Sequence, residues 1–240
     1  FSPDVVVPLV SGLVIMAGAS AAHADCAPLG NVPNYVASPD QKTRAYDSFG
    51  FDVAKGDGNT ETVNVAGRLC EQSYTPKNGV DPMSDLEIQS NYRDQLKKLG
   101  AQVLFSDDRD TVARIVKGAQ ETWVKVYSQE TEIDVTVVDK TPFKASLLPP
   151  SGNDYRLLGH LPNYVADKPE KRNFDKSGFT VKDGDDSREI EIRGARYTVA
   201  YTQGAAPLSD LDIQENYRVA LAVLGAQILF TDGRDTVARL

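Results

Sequence analysis

One stretch is written twice in this chain. "SDLEIQSNYRDQLKKLGAQVLFSDDRDTVAR", from Ser84 to Arg114, returns as "SDLDIQENYRVALAVLGAQILFTDGRDTVAR", from Ser209 to Arg239. A duplication of this length requires the chain to build one fold twice, so every other segment is read against its counterpart. Ser84 with Glu87, and Ser209 with Asp212, are spaced as helix-start boxes, in which side-chain oxygens satisfy the free N–H groups of the first turn. Ile88, Tyr92, Leu96 and Leu99 follow at four, four and three residues and form one apolar helix face; Ile213, Tyr217, Leu221 and Leu224 repeat it. Gly100 and Gly225 then stand where a helix stops in a left-handed residue. Val103 to Phe105 and Ile228 to Phe230 run into Asp/Arg/Gly turns and read as strands.

Ahead of each helix the copies share Pro-Asn-Tyr-Val-Ala, at Pro33 to Ala37 and Pro162 to Ala166, which suits a short extended segment. Next come alternating apolar positions on either side of an Asp/Gly-rich turn, "KGDGNTE" at Lys55 to Glu61 and "KDGDDSRE" at Lys182 to Glu189. These predict a hairpin in each copy. In the second copy Ile190, Ile192, Tyr197, Val199 and Tyr201 alternate across Gly194, as a strand with a bulge does. After its helix the first copy has three further strand-like runs, broken at Gly118 and near Glu130. The second stops at Leu240, short of the counterparts of the last two. The expectation is an α+β protein of two homologous modules, each an antiparallel sheet with one helix packed on a face, the second truncated. Residues 25–139 form the first module, the Pro-rich stretch 140–154 a stiff linker, and residues 155–240 the second.

Residues 1–24 are an apolar run broken by Pro8, Gly12 and Gly18 and closed by Ala22-His23-Ala24, the small-x-small pattern of a signal-peptide cleavage site. Those breaks count against a membrane-spanning helix, which needs about 20 apolar residues. No transmembrane helix is expected in the mature chain, and Asp25 before Cys26 counts against a lipoprotein signal. A net charge of −8 disfavours nucleic acid, which is bound by clustered Lys and Arg.

The chain has two cysteines. Cys26 aligns with Tyr155 and Cys70 with Tyr197, so both positions change together, as neighbours do. A Cys26–Cys70 disulfide follows, with an aromatic pair doing the same packing in the second copy. Such a bridge closes a loop of about 45 residues and contributes on the order of 4 kcal/mol.

No constellation identifies a chemical activity, and the chain is not read as an enzyme. His160, the one histidine after residue 24, has Asn31 as its counterpart and reads as a surface residue rather than as part of a Ser-His-Asp set. The acidic turns lack a full calcium-loop pattern, and no zinc set or phosphate-cradling loop is present, so no catalytic residue, cofactor or metal is assigned. Arg109 and Arg234, in "DDRDTVAR" and "DGRDTVAR", are held by both copies and form the candidate interaction surface.

The pattern carried by Pro33 and Tyr35, Tyr46 to Phe51, Gly67-Arg68, Leu86 to Tyr92, Leu99 to Leu104 and Trp123-Val124 resembles the N-terminal, non-barrel modules of OmpA-family envelope proteins of Gram-negative bacteria. The second copy departs from it with Ala195 where Arg68 is matched. The resemblance implies a periplasmic, outer-membrane-associated protein whose modules act as spacers or interaction domains. Its partners would be envelope proteins, or peptidoglycan through a C-terminal OmpA-like domain that this chain does not contain. The alternative is a periplasmic adaptor that binds proteins at an exposed sheet edge, and a periplasmic hydrolase is the third reading.

Overall fold

The computed structural model describes Cys26 and residues 29–56, 58–129, 131–204 and 207–240. The apolar run of residues 1–24, and with it the signal-peptide reading, lies outside the described residues. Among the described residues no helix is long and apolar enough to cross a membrane.

In the first module, β1 (Tyr35–Ala37) is entered through Asn34, whose φ of 67° is the left-handed conformation that asparagine tolerates; Asn163, at 65°, repeats it ahead of β8 (Tyr164–Ala166). The shared Pro-Asn-Tyr-Val-Ala motif is therefore a bend followed by a strand. β2 (Lys42–Ala54) and β3 (Thr60–Pro76) form the expected hairpin, and β3 is long enough to serve two roles. Its first two thirds pair with β2, its end pairs with β1, and residues Gly67 to Tyr74 pair on the opposite edge with the last strand of the module. α1 (Asp85–Lys98) starts where the Ser84 hydroxyl accepts from the Glu87 N–H and ends before Gly100, at φ 75°. β4 (Gln102–Ser106), β5 (Asp110–Lys117), β6 (Gln120–Gln129) and β7 (Glu132–Lys140) then run as an antiparallel meander. The result is a seven-stranded sheet in the order β1-β3-β7-β6-β5-β4, with β2 also on β3.

Alternation along these strands buries both faces. On one face Ile88, Tyr92 and Leu96 of α1 pack with Cys70, Ala113, Ile115, Val124, Val126, Ile133, Val135 and Val137. On the other, Phe51, Val53, Val65, Leu69, Val112, Trp123 and Val138 form a second core, because the β2–β3 hairpin curls over until β2 lies against β4 and β5. The sheet is thus a half-closed barrel with a helix outside. β3 and β7 approach so closely at Gly67 that a Cβ there would lie 2.0 Å from the Asp139 carbonyl oxygen.

The second copy is β8 paired with β11 (Tyr201–Gln203), the hairpin β9 (Glu170–Asp183) with β10 (Asp186–Thr198), α2 (Asp210–Val223), and β12 (Gln227–Thr231) with β13 (Thr236–Arg239). The bulge falls at Gly194 as expected, although the alternating run through Tyr201 is split between β10 and β11. Three separate two-stranded sheets stand where the first copy has one continuous sheet. The buried residues of α2 are the polar Asp212 and Asn216, while Ile213, Tyr217 and Leu221 are half-buried and Leu224 is exposed.

This corrects the expected fold class. The protein is mostly β, with 52% strand against 13% helix, and it is not a pair of helix-on-sheet modules. The physical cause is the pairing of β7 with β3. In the first copy β6 and β7 bridge the hairpin to β5, and nothing within residues 207–240 makes that bridge in the second. The apolar face of α2 therefore has only a narrow ribbon to cover.

Candidate functional site

The concave face of the first module carries a polarity gradient set by strand register. Leu69, Val138 and Trp123 form an apolar row across β3, β7 and β6. Two residues further along each strand lie Glu71, Thr136 and Lys125, and two further again Ser73, Asp134 and Tyr127. Each row keeps the same face because side chains repeat every second residue. The polar end opens as a groove of about 590 Å³, rimmed by Ser38, Asp40 and Lys42 and floored in part by Phe49.

Inside it the Ser73 hydroxyl donates to Asp134 at 2.5 Å, and Lys125 lies 3.4 Å from Asp110, whose carboxyl burial pushes above the usual range despite the lysine. The groove presents hydroxyl, carboxylate and ammonium groups beside one half-buried tyrosine, Tyr127. It can hold a polar extended ligand by hydrogen bonds. Sequence reasoning did not find this groove. Its one legible signal was the replacement of apolar by polar residues at alternate positions toward the far ends of β3, β6 and β7.

The predicted disulfide is present: Cys26 and Cys70 are bonded, with Cα atoms 5.5 Å apart, and both are buried. Their counterparts Tyr155 and Tyr197 pack in a tilted pair with ring centroids 5.5 Å apart, and the Tyr197 hydroxyl donates to the Asn153 carbonyl. The same point is closed covalently in one copy and by an aromatic pair in the other.

Arg109 and Arg234 occupy equivalent turns. Asp107 Oδ1 accepts from the N–H groups of Arg109 and Asp110, and Asp232 Oδ1 from those of Arg234 and Asp235. Arg109 reaches Asp85 at 3.2 Å and Arg234 reaches Asp210 at 3.4 Å, which ties each turn to the first turn of its helix. Both guanidinium groups stay largely in water, and they lie in different modules, so the structure assembles no joint site from them. Beneath each turn sits a glutamine the sequence reading passed over. Gln89 is fully buried: its Nε2 donates to the Arg109 carbonyl and the Ser128 hydroxyl, and its Oε1 accepts from Thr111. Gln214 repeats two of these bonds, to the Arg234 carbonyl and Thr236. Its identity in both copies was the available signal.

His160 is half-buried rather than fully exposed. Its Nδ1 lies 2.8 Å from Asp154, whose side chain is 1% exposed, in a cluster with Tyr201 and Tyr217. Burial pushes the Asp154 carboxyl up, but hydrogen bonds from His160, the Ser151 N–H and Tyr201 outweigh it and hold the group below the ordinary carboxylate range. The pair clamps the linker, since the Leu148 N–H also donates to the His160 carbonyl and Gly159 leaves room for the Leu148 backbone. The acidic turns carry the ion pairs Lys55–Glu61 and Arg188–Asp183.

Compared with protein-family models, with curated proteins and with solved structures, the chain shows no match in any of the three.

Proposed function

We propose that this chain is an exported, non-catalytic protein of the cell envelope, periplasmic and associated with the outer membrane, whose modules act as spacer and interaction domains. The Cys26–Cys70 disulfide carries the reading. It is buried, it joins the N-terminal segment to β3, and bridges of this kind persist in oxidising compartments. The resemblance to the N-terminal modules of OmpA-family envelope proteins supports it, and the groove over Tyr127 and Asp134 is the surface at which the first module meets an envelope protein. The test is thiol labelling of denatured, unreduced protein taken from fractionated cells of its native host. Protein in the periplasmic or outer-membrane fraction with both cysteines unlabelled is the expected result. Cytoplasmic protein with two labelled thiols overturns the proposal.

A further inference from the structure

The carboxylates of the first-module groove are spaced by the strands that carry them. Glu71 stands on β3 beside Thr136 of β7, and on β7 itself Asp134 and Glu132 follow at every second residue. Each successive row of the concave face therefore presents one carboxylate, and the rows lie about 6.8 Å apart, two residues of an extended strand. An extended polypeptide laid along these strands repeats its side chains at the same interval. One face of such a segment meets all three rows.

What those carboxylates already hold decides the charge of the ligand. Ser73 donates to one oxygen of Asp134; the other oxygen, and the carboxylates of Glu71, Glu132 and Asp40, have no hydrogen-bonding or ionic partner among the described residues. Of the two ammonium groups at the groove, Lys125 is committed to Asp110 at 3.4 Å. Lys42, across the hairpin from Glu71, is exposed and makes no ion pair among the described residues. The groove thus sets four carboxylates against one uncommitted cation.

A second feature serves a ligand rather than the fold. Thr136 is 8% exposed and sits on the concave face between Glu71 and Lys125, yet its hydroxyl makes no hydrogen bond among the described residues. A hydroxyl so nearly withdrawn from water costs free energy until a partner reaches it, and the space it borders is the groove. The floor adds an apolar requirement. Phe49 is held edge-on by Phe51, which packs in turn on Trp123, so a fixed ring lies in the same groove. Such a ring covers the methylene stem of a lysine or arginine, which a metal ion does not have. The rim is set as well, since Gln72 donates to the Ser38 carbonyl and the Ser38 N–H donates to the Ser73 carbonyl.

We propose that this groove binds an extended segment of a partner protein that carries lysine or arginine at alternate positions. Its cationic groups meet Glu71, Asp134 and Glu132 in successive rows, one stem lies on Phe49, and a donor reaches the Thr136 hydroxyl. The inference names the chemistry of the partner at the surface already assigned to protein contact, and it rests on that reading.

The probe is the capped peptide Lys-Ser-Lys-Ser-Lys, titrated into the 240-residue chain and followed by backbone amide chemical shifts. Shifts are expected at Glu71, Asp134 and Thr136 and not in the second module. Binding should weaken about tenfold between about 20 and 200 mM salt. Lys-Lys-Lys-Ser-Ser, with the same composition and no alternation, should bind roughly fivefold more weakly. Glu71→Gln and Thr136→Val should each weaken the alternating peptide roughly five- to tenfold. Lys42→Gln, which removes the uncommitted cation at an exposed position, should instead tighten it about threefold. The comparisons between peptides use the unaltered chain and do not depend on whether a variant folds. Absence of shifts at these residues at about 1 mM peptide overturns the proposal, and so does equal binding of the two lysine peptides or of Gln-Ser-Gln-Ser-Gln. A neutral N-acetylglucosamine oligomer that shifts the groove amides where the lysine peptide does not also overturns it, since the groove is then a glycan site. These failures leave the location read by thiol labelling unchanged, and cytoplasmic protein with free thiols leaves the peptide titration unchanged.

Discussion

Gln89 and Asp154 show how a single buried polar residue is tolerated only with its partners in place. Replacing Gln89 with Ala removes one donor from the Arg109 carbonyl and a buried partner from each of the Thr111 and Ser128 hydroxyls. The expected loss is about 2–3 kcal/mol of stability in urea unfolding, whereas Gln214→Ala, on a more exposed turn, should cost less than about 1 kcal/mol. Asp154 sets a pH dependence. Its folded-state pKa lies below its unfolded value, so its stabilisation is fully present above the unfolded carboxylate pKa and is lost as pH falls through the folded one. Melting the second module from neutral pH down to about pH 2 should show a falling midpoint below roughly pH 4. Asp154→Asn should lower the midpoint at pH 7 and flatten that fall. A variant whose acid limb stays as steep as that of the parent chain would place the titration elsewhere. Asp212 carries the opposite sign: burial raises its carboxyl, so its charge opposes folding at neutral pH and that burden is relieved as pH falls through its folded-state pKa.

Among the elements, those built from neighbours in sequence were legible and those built across distance were not. Ser84, Gly100 and the Ile88-Tyr92-Leu96 face define α1 locally, and the paired change of Cys26 and Cys70 to tyrosine revealed one long-range contact because the duplication compares the two positions. Nothing local shows that β3 continues past the hairpin to pair with β7, or that Leu69 and Cys70 enter separate cores on opposite faces. That long pairing decides whether a helix packs on a complete sheet, and for this reason the expected fold class failed first in the second copy. The candidate groove was hidden for the same reason, since Ser73, Tyr127 and Asp134 become neighbours only through register. Gly67 offers a test at this scale. Gly67→Ala forces β3 and β7 apart and should cost about 1–3 kcal/mol by chemical denaturation, while Gly194→Ala should be near neutral. Equal costs would mean that Gly194 is also covered in solution.

As a whole molecule the chain joins two closures of unequal strength. Cys26→Ser with Cys70→Ser should lower the stability of the first module by on the order of 4 kcal/mol and leave the transition of the second unmoved, followed by Trp123 fluorescence against far-UV circular dichroism. The modules also touch. The Ser209 hydroxyl caps α2 and donates to the Tyr46 carbonyl, and Asn216 accepts from the Ser146 N–H of the linker, so α2 leans on β2 of its neighbour. The two ways of closing the N-terminal segment, a covalent bond in one copy and a tilted tyrosine pair in the other, have a mechanical consequence. Under tension between its ends, the stretch from Cys26 to Cys70, with a separation of 44 residues, cannot lengthen while the bridge holds. At about 3.4 Å per residue this withholds roughly 150 Å of contour. The stretch from Tyr155 to Tyr197 has no such stop and yields once the rings slide apart. Under such a load the stretch from Cys26 to Cys70 keeps its length while its counterpart from Tyr155 to Tyr197 can extend.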